Sequence, residues 1–487
     1  MSAAPHPVQS LVRQVRALQG GRLGVPDLLE EVLARTQDLA PALKCYITLA
    51  DAGALRAEAA ALQRELDAGR RRGPLHGVPI GIKDIIETRG LRTTGGSAAL
   101  DDWIPERDAT AVRKLREAGA LIIGKHNTHE FAFGITTDNE RFGQCLNPWS
   151  SAHVPGGSSG GSGAAVGAGL CIAALGTDTG SSIRRPAAFC GAVGLKPRYG
   201  RVSRQGAMLL SWSCDHLGPL AASVFDAVAM LDAIAGPDAA DPATRQETWA
   251  PLLPSLGDAH GLGTAAIPRR WIESCCEPGV LARFEEACRI AGQAGLTLVD
   301  VDPPFRDEVA PALRTISVAE ARVAHEQRFA ERGERYSDEL KMLIRLGGYI
   351  PAHVYIKSQQ LRQRLRQWMA QCFQSADLLL TPAIPSVAPR IKPRGAAPPG
   401  AAPADPVTPG PADSPALMHD VSGLFCSFGS MGGLESISIP MGLSAGLPCG
   451  LLLTGPGRHE RALLRLAADL ERRLPPLPAP PGVKHTA

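Results

Sequence analysis

Between Phe142 and Thr177 the chain carries no Asp, Glu, Lys or Arg, and with His153 neutral it has no charge at all. Seven glycines fall between Gly156 and Gly169. A run this long without charge must be largely buried or line a site. Its glycines allow one backbone to lie directly against another. A second such run, Gly423 to Gly457, has Glu435 as its only charge. Within it Ser436-Ile-Ser-Ile-Pro440 and Cys449-Gly-Leu-Leu-Leu453 read as central strands, followed by a helix over 459–473.

The segments around these runs alternate helical and strand-like texture. Leu11, Val15 and Leu18 share one helical face, Pro26 can open a second helix, and Asp51 to Arg70 is an Ala-rich third. After Gly73-Pro74, Val78-Pro-Ile-Gly-Ile82 is a short apolar run, and Leu121-Ile-Ile123 is another that follows a Thr110–Ala118 helix. Helix followed by short apolar strand predicts an α/β fold. Gly163 to Gly176 reads as a buried core helix, too short and too poor in large apolar side chains to cross a bilayer. Pro389 to Pro415 is Pro/Ala/Gly-rich and predicts a flexible surface loop, and Pro475 to Ala487 a frayed tail.

Composition narrows the function classes. The 487 residues include 51 Lys plus Arg and 48 Asp plus Glu, a near balance with no broad basic face for nucleic acid and no polybasic membrane anchor. Hydrophobic residues at 44% can build a core. Eleven cysteines, an odd number without CxxC or zinc-like spacing, argue against a disulfide framework or structural metal. Met1 to Gln19 has no apolar core of a signal peptide. The expectation is a cytoplasmic protein without metal or cofactor.

Three segments carry chemistry: Gly77-Val-Pro-Ile-Gly-Ile-Lys-Asp84, Pro155-Gly-Gly-Ser-Ser-Gly-Gly-Ser162 and Gly176-Thr-Asp-Thr-Gly-Ser-Ser-Ile-Arg184. Gly156-Gly-Ser-Ser-Gly160 fits GxSxG, yet the nucleophile elbow that motif denotes needs a strand directly before it, and Asn147 to Pro155 reads as loop. No Lys-Ser/Thr follows the glycines, so a phosphate cradle fails as well. His126, His129, His153 and His216 raise a Ser-His-Asp triad, but Asp215 and His216 are sequence neighbours, a poor geometry for an orienting carboxylate. Phe131, Phe133, Phe142 and Trp149 are candidates for an acyl pocket or for plain core.

Taken in order, these segments resemble the amidase signature family. Gly124-Lys-His-Asn-Thr128, Phe189-Cys-Gly-Ala-Val-Gly-Leu-Lys-Pro197, Gly200-Arg-Val-Ser203, Leu210 to Pro219, Leu378-Leu-Leu-Thr-Pro382 and the Gly433–Gly450 region extend the likeness. The resemblance implies one α/β domain over 8–475, a large mixed β-sheet covered by helices on both sides. Within it lie a helical N-terminal part (8–70), a catalytic core (75–235) and a C-terminal substrate-pocket part (260–475) holding the 389–415 loop. By position Lys83 falls on the family's catalytic lysine and Ser158 on the bridging serine after a cis Gly157–Ser158 peptide. Ser182 falls on the nucleophile. The chemistry needs these types. Serine becomes nucleophilic when a base takes its proton, and lysine is such a base once burial has neutralised it. The backbone N–H groups of Thr179, Gly180, Ser181 and Ser182 are the implied oxyanion donors, with Ser159, Asp178 and Arg184 in support.

Two positions depart from the family pattern. Ser181 stands where glycine is usual, which is strained if φ is positive there, and Arg185 stands where an uncharged residue is common, at the surface or facing the substrate. The implied activity is hydrolysis of a carbon–nitrogen bond in a small or aryl amide or a carbamate, as in a urethanase, by a monomer or homodimer. The alternatives are a ureide (biuret- or allophanate-type) hydrolase, the A subunit of the glutamyl-tRNA amidotransferase, and an inactive scaffold homologue. The amidotransferase chain usually carries an acid before the Gly432-Gly433 turn to hold the amino group of glutamine. Here Gly423 occupies the place and Asp420 lies three residues away.

Overall fold

The computed structural model describes residues 7–244, 248–258, 261, 263–392 and 423–481. Most of the predicted loop 389–415, Asp420 and the end of the tail therefore lie outside the described residues. Residues 389–391 are within them and are fastened to the 152–154 segment, with Val154 N donating to Pro389 O at 3.0 Å and Ile391 N to Ala152 O at 2.9 Å.

The strands are β1 (Tyr46–Leu49), β2 (Pro79–Lys83), β3 (Leu121–His126), β4 (Asp138–Asn139), β5 (Gly143–Gln144), β6 (Ala173–Asp178), β7 (Val193–Lys196), β8 (His216–Ala221), β9 (Thr264–Ile267), β10 (Thr297–Asp300), β11 (Leu378–Pro382), β12 (Ser436–Ser444) and β13 (Leu447–Thr454). Among the described residues eleven of them form one mixed sheet in the order β1-β3-β2-β6-β8-β7-β12-β13-β11-β9-β10, and helices cover both sides. The run β3-β2-β6 is parallel, and β6 is antiparallel to β8. Every residue of β2, β3 and β6 is buried, which is why these strands are unbroken apolar runs until their last residues. Polar side chains appear where the parallel strands end: Lys83 closes β2, and Thr177 and Asp178 close β6. The carboxyl ends of parallel strands are where open α/β sheets place their sites.

Two expectations are corrected. Gly163 to Gly176 is not one core helix. The helix is Gly160–Gly167, Gly169 at φ +71° ends it, and the chain re-enters the sheet as β6 between β2 and β8. Nor is the N-terminal part helical throughout, since β1 lies between the helices Val25–Leu43 and Ala52–Asp67 and pairs antiparallel with β3. No helix among the described residues is long and apolar enough to cross a membrane.

The glycines of the uncharged run bring helix Gly160–Gly167 against other backbones. A Cβ on Gly161 would sit 2.4 Å from Asn127 O and 2.5 Å from Cys45 O, and one on Gly167 would sit 2.4 Å from Cys190 O. These atoms belong to backbone and cannot rotate away. Gly161→Ala is therefore expected to cost about 3 kcal/mol, the upper range for overpacking. The check is a lowered denaturant midpoint at an unchanged m-value; a stability equal to wild type would show that the helix has room to shift.

Candidate active site

Lys83 is fully buried at the end of β2, among Ile82, Ile85 and Ile86, which are exposed by 1% or less. Its Nζ donates to Ser158 Oγ and to Thr177 Oγ1, each at 2.7 Å. Burial pulls the ammonium from its ordinary 10.5 down to about 7, against the opposing charges of Asp215 and Asp178. The adjacent Asp84 does not pair with it, because Asp84 Oδ2 accepts from Thr94 N (2.9 Å) and Thr94 Oγ1 (2.5 Å).

Ser158 follows a cis peptide after Gly157. Its carbonyl is held by His129 N at 3.1 Å and Thr128 Oγ1 at 3.0 Å. Ser159 ties its loop to the loop after β6: its N donates to Ser182 O at 3.3 Å and its Oγ to Thr177 O at 3.2 Å. Ser182 lies at a cleft of about 470 Å³, with Thr179, Gly180 and Ser181 beside it. Among the described residues no hydrogen bond joins the Ser158 and Ser182 hydroxyls, and none of the N–H groups of Thr179, Gly180, Ser181 and Ser182 donates to a protein acceptor. Four unspent donors in one turn make a site for a developing oxyanion.

Asp178 and Arg184 hold that turn in shape. Arg184 Nη2 meets Asp178 Oδ1 at 2.8 Å and Arg184 Nε meets Oδ2 at 2.9 Å, with both side chains fully buried. Asp178 Oδ2 also accepts from Ile183 N at 3.0 Å. Burial alone would raise this carboxyl, but the guanidinium against it holds it well below the usual carboxylate range. Arg184 further donates to Cys426 O and Ser430 Oγ, both at 2.8 Å, and to Gly180 O at 3.1 Å. Thr179 is fixed by its hydroxyl, which donates to Asp215 Oδ1 at 2.5 Å.

Several readings change here. Ser181 is absent from the residues of positive φ, so glycine would relieve no strain at that position. Arg185 is 2% exposed and lines the cleft, which rules out the surface alternative. His216 faces Cys214 O at 2.7 Å, and burial together with Lys196 holds it well below 6.5. His126 faces Ser162 Oγ at 3.2 Å and is pushed by burial to about 3. Neither histidine touches Ser182. Of the four aromatics, Phe133 lines the cleft; Phe131 stacks in a core cluster with Tyr336, Trp149 donates to Cys190 O, and Phe142 lies beside Arg92. Thr177 was missed, although a hydroxyl at the end of an apolar strand two residues before Thr179 is a visible signal. Leu313, Ser317, Met342 and Leu343, which wall the cleft from helices Val309–Ala324 and Asp338–Gly347, have no local signal.

The family model described as Amidase matches residues 27–464. The A subunit of the glutamyl-tRNA(Gln) amidotransferase of Anaeromyxobacter sp. (strain K) is 39% identical, over 93% of this chain and 94% of that protein. Among solved structures, a chain of the vestigial protein complex that reveals the evolutionary origins of an s-triazine catabolic enzyme superposes with a TM-score of 0.84. It is 30% identical and covers 95% of this chain and 98% of its own. The native peptide amidase of Stenotrophomonas maltophilia superposes with a TM-score of 0.78, at 30% identity over 97% of each chain. With the family model matched over 27–464, nearly the whole chain, the chain belongs to the amidase signature family, enzymes that act on carbon–nitrogen bonds.

Proposed function

We propose that the protein hydrolyses a small or aryl carboxamide, or a carbamate, through an acyl-enzyme on Ser182. The observation that carries this reading is the fully buried Lys83 Nζ, 2.7 Å from Ser158 Oγ, whose loop is bonded through Ser159 N to Ser182 O at the cleft that Ser182 lines. Neutral Lys83 takes a proton from Ser158, which takes one from Ser182 as its oxygen attacks the carbonyl. The carbonyl oxygen, now an oxyanion, is received by the free N–H groups of the 179–182 turn. The proton returns along the same path to the leaving amine, and water repeats the sequence to release the acid.

A second reading, the A subunit of an amidotransferase that draws ammonia from glutamine, is favoured by the names of the curated relatives. Against it stands Gly423, which supplies no carboxylate for glutamine's amino group, beside the cation Arg185. A panel of aryl amides, primary amides, ureas, carbamates and L-glutamine, read by released amine, separates the two. Fastest release from L-glutamine, together with co-purification of two further chains, would establish the second. Fastest release from a urea would make the protein a ureide hydrolase, and no release with no fluorophosphonate label would make it an inactive homologue.

Ser182→Ala is expected to abolish turnover and fluorophosphonate labelling without lowering the thermal midpoint; residual activity above about 1% at unchanged selectivity would place the nucleophile elsewhere. The rate should fall about 10-fold per pH unit below about 7, because only the unprotonated lysine serves as base and protonation removes it as pH drops. Lys83→Ala should lose that limb and orders of magnitude in acylation. A variant that keeps the wild-type profile would assign the base to another group.

A further inference from the structure

Arg185 is a cation that the hydrolytic steps leave unused. It lines the cleft, is 2% exposed, and its Nε and Nη1 are shut off from solvent without a hydrogen-bond partner among the described residues. Its neighbour Arg184 shows the contrast, with every arm of its guanidinium spent on Asp178, Cys426 O, Gly180 O and Ser430. A guanidinium withdrawn from water without an anion is costly to retain. Burial lowers Arg185 from 12.5 to about 10, so it is still charged at neutral pH.

The groups around it converge on one small space. A Cβ on Gly423 would lie 3.4 Å from Arg185 Nη2, 3.8 Å from Ser427 Oγ and 4.0 Å from Ser181 Oγ. Glycine at 423 keeps that space open. Ser427 Oγ is engaged with Gly423 O at 2.7 Å, whereas the Ser181 hydroxyl makes no hydrogen bond among the described residues. Part-buried Arg314 lines the same cleft. Among the described residues the acid lining it is Glu339, whose carboxylate lies 3.6 Å from His129 Nε2. The two residues that depart from the family pattern, Ser181 and Arg185, thus face the same unfilled volume.

We infer that Arg185, with the Ser181 hydroxyl beside it, is a carboxylate-binding subsite, and that the preferred substrates are half-amides of short dicarboxylic acids. The inference rests on the hydrolytic reading above. A guanidinium presents paired donors that match the two oxygens of a carboxylate. The carboxylate belongs on the acyl side: the leaving amine must take its proton from Ser158 and Lys83, which are fully buried and do not line the cleft, so the part retained on Ser182 extends toward Arg185.

The test compares kcat/KM for succinamic acid, a half-amide, with that for succinamide, the neutral diamide of the same acid. Wild type should prefer the half-amide by about 10-fold or more, chiefly through KM. Arg185→Gln should bring the ratio near one, Arg185→Lys should restore part of it, and Gly423→Asp, which sets a carboxylate against Nη2, should also collapse it. Fluorophosphonate labelling of Ser182 reports the serine chemistry separately. A wild-type protein that does not label overturns the hydrolytic reading and the subsite with it. A labelled wild type that prefers the diamide, or a labelled Arg185→Gln that keeps the half-amide preference, overturns the subsite alone. If Arg185→Gln does not fold, the wild-type ratio and Gly423→Asp decide. If neither amide is turned over, protection of Ser182 from the label by the half-amide but not the diamide supports the subsite, and equal or no protection overturns it.

Discussion

The burial of one amine organises this protein. Lys83 ends a strand whose every residue is out of water, and among the described residues it has no carboxylate against its Nζ. An ammonium in that place is penalised, and the lysine gives up its proton far more readily than one in solvent. Two hydroxyls, from Ser158 and Thr177, are its hydrogen-bond partners, and these suit either protonation state because a hydroxyl donates as well as accepts. A carboxylate there would have locked the amine in its charged form. The sheet order follows from the same need: β2 lies between β3 and β6, so the lysine is walled on both sides by strands.

Near that amine, one buried pair of opposite charges is matched. Asp178 and Arg184 neutralise each other and spend their remaining arms on backbone and on Ser430 Oγ, so they set the shape of the 179–182 turn without adding a titrating group. Removing either partner would leave the other as an uncompensated buried charge. Arg185, one residue further, has no such arrangement among the described residues, so two adjacent arginines stand in opposite electrostatic settings.

The amino-acid sequence points to the proposed reacting groups more directly than to the cleft beside them. Lys83, Ser158 and Ser182 sit in local motifs whose residue types are dictated by the chemistry, and the apolar runs at 78–82, 121–123 and 436–440 announce strands. The misreading of Gly163–Gly176 has a physical reason: small residues carry no amphipathic period, so a two-turn helix and a buried strand look alike. The four-residue β1 sits inside helical texture and is held by pairing with β3. Met342 and Leu313 reach the cleft from helices far along the chain, and only tertiary packing brings them there. The backbone angle of Ser181 and the direction of Arg185 were beyond local sequence for the same reason.

The bonds from Arg184 to Cys426 O and Ser430 Oγ span 242 and 246 residues. They tie the turn after β6 to the helix Leu424–Gly432, which the ribosome makes when most of the chain has already emerged. Contacts of such separation form late, after their loop-closure entropy has been overcome. Ser182 thus exists as a residue long before its surroundings exist as a site. A nascent chain halted before residue 424 carries the three proposed reacting side chains and lacks the bonds from Arg184 to Cys426 O and Ser430 Oγ. The turn after β6 takes its final shape only when the helix Leu424–Gly432, late in the chain, has docked against it.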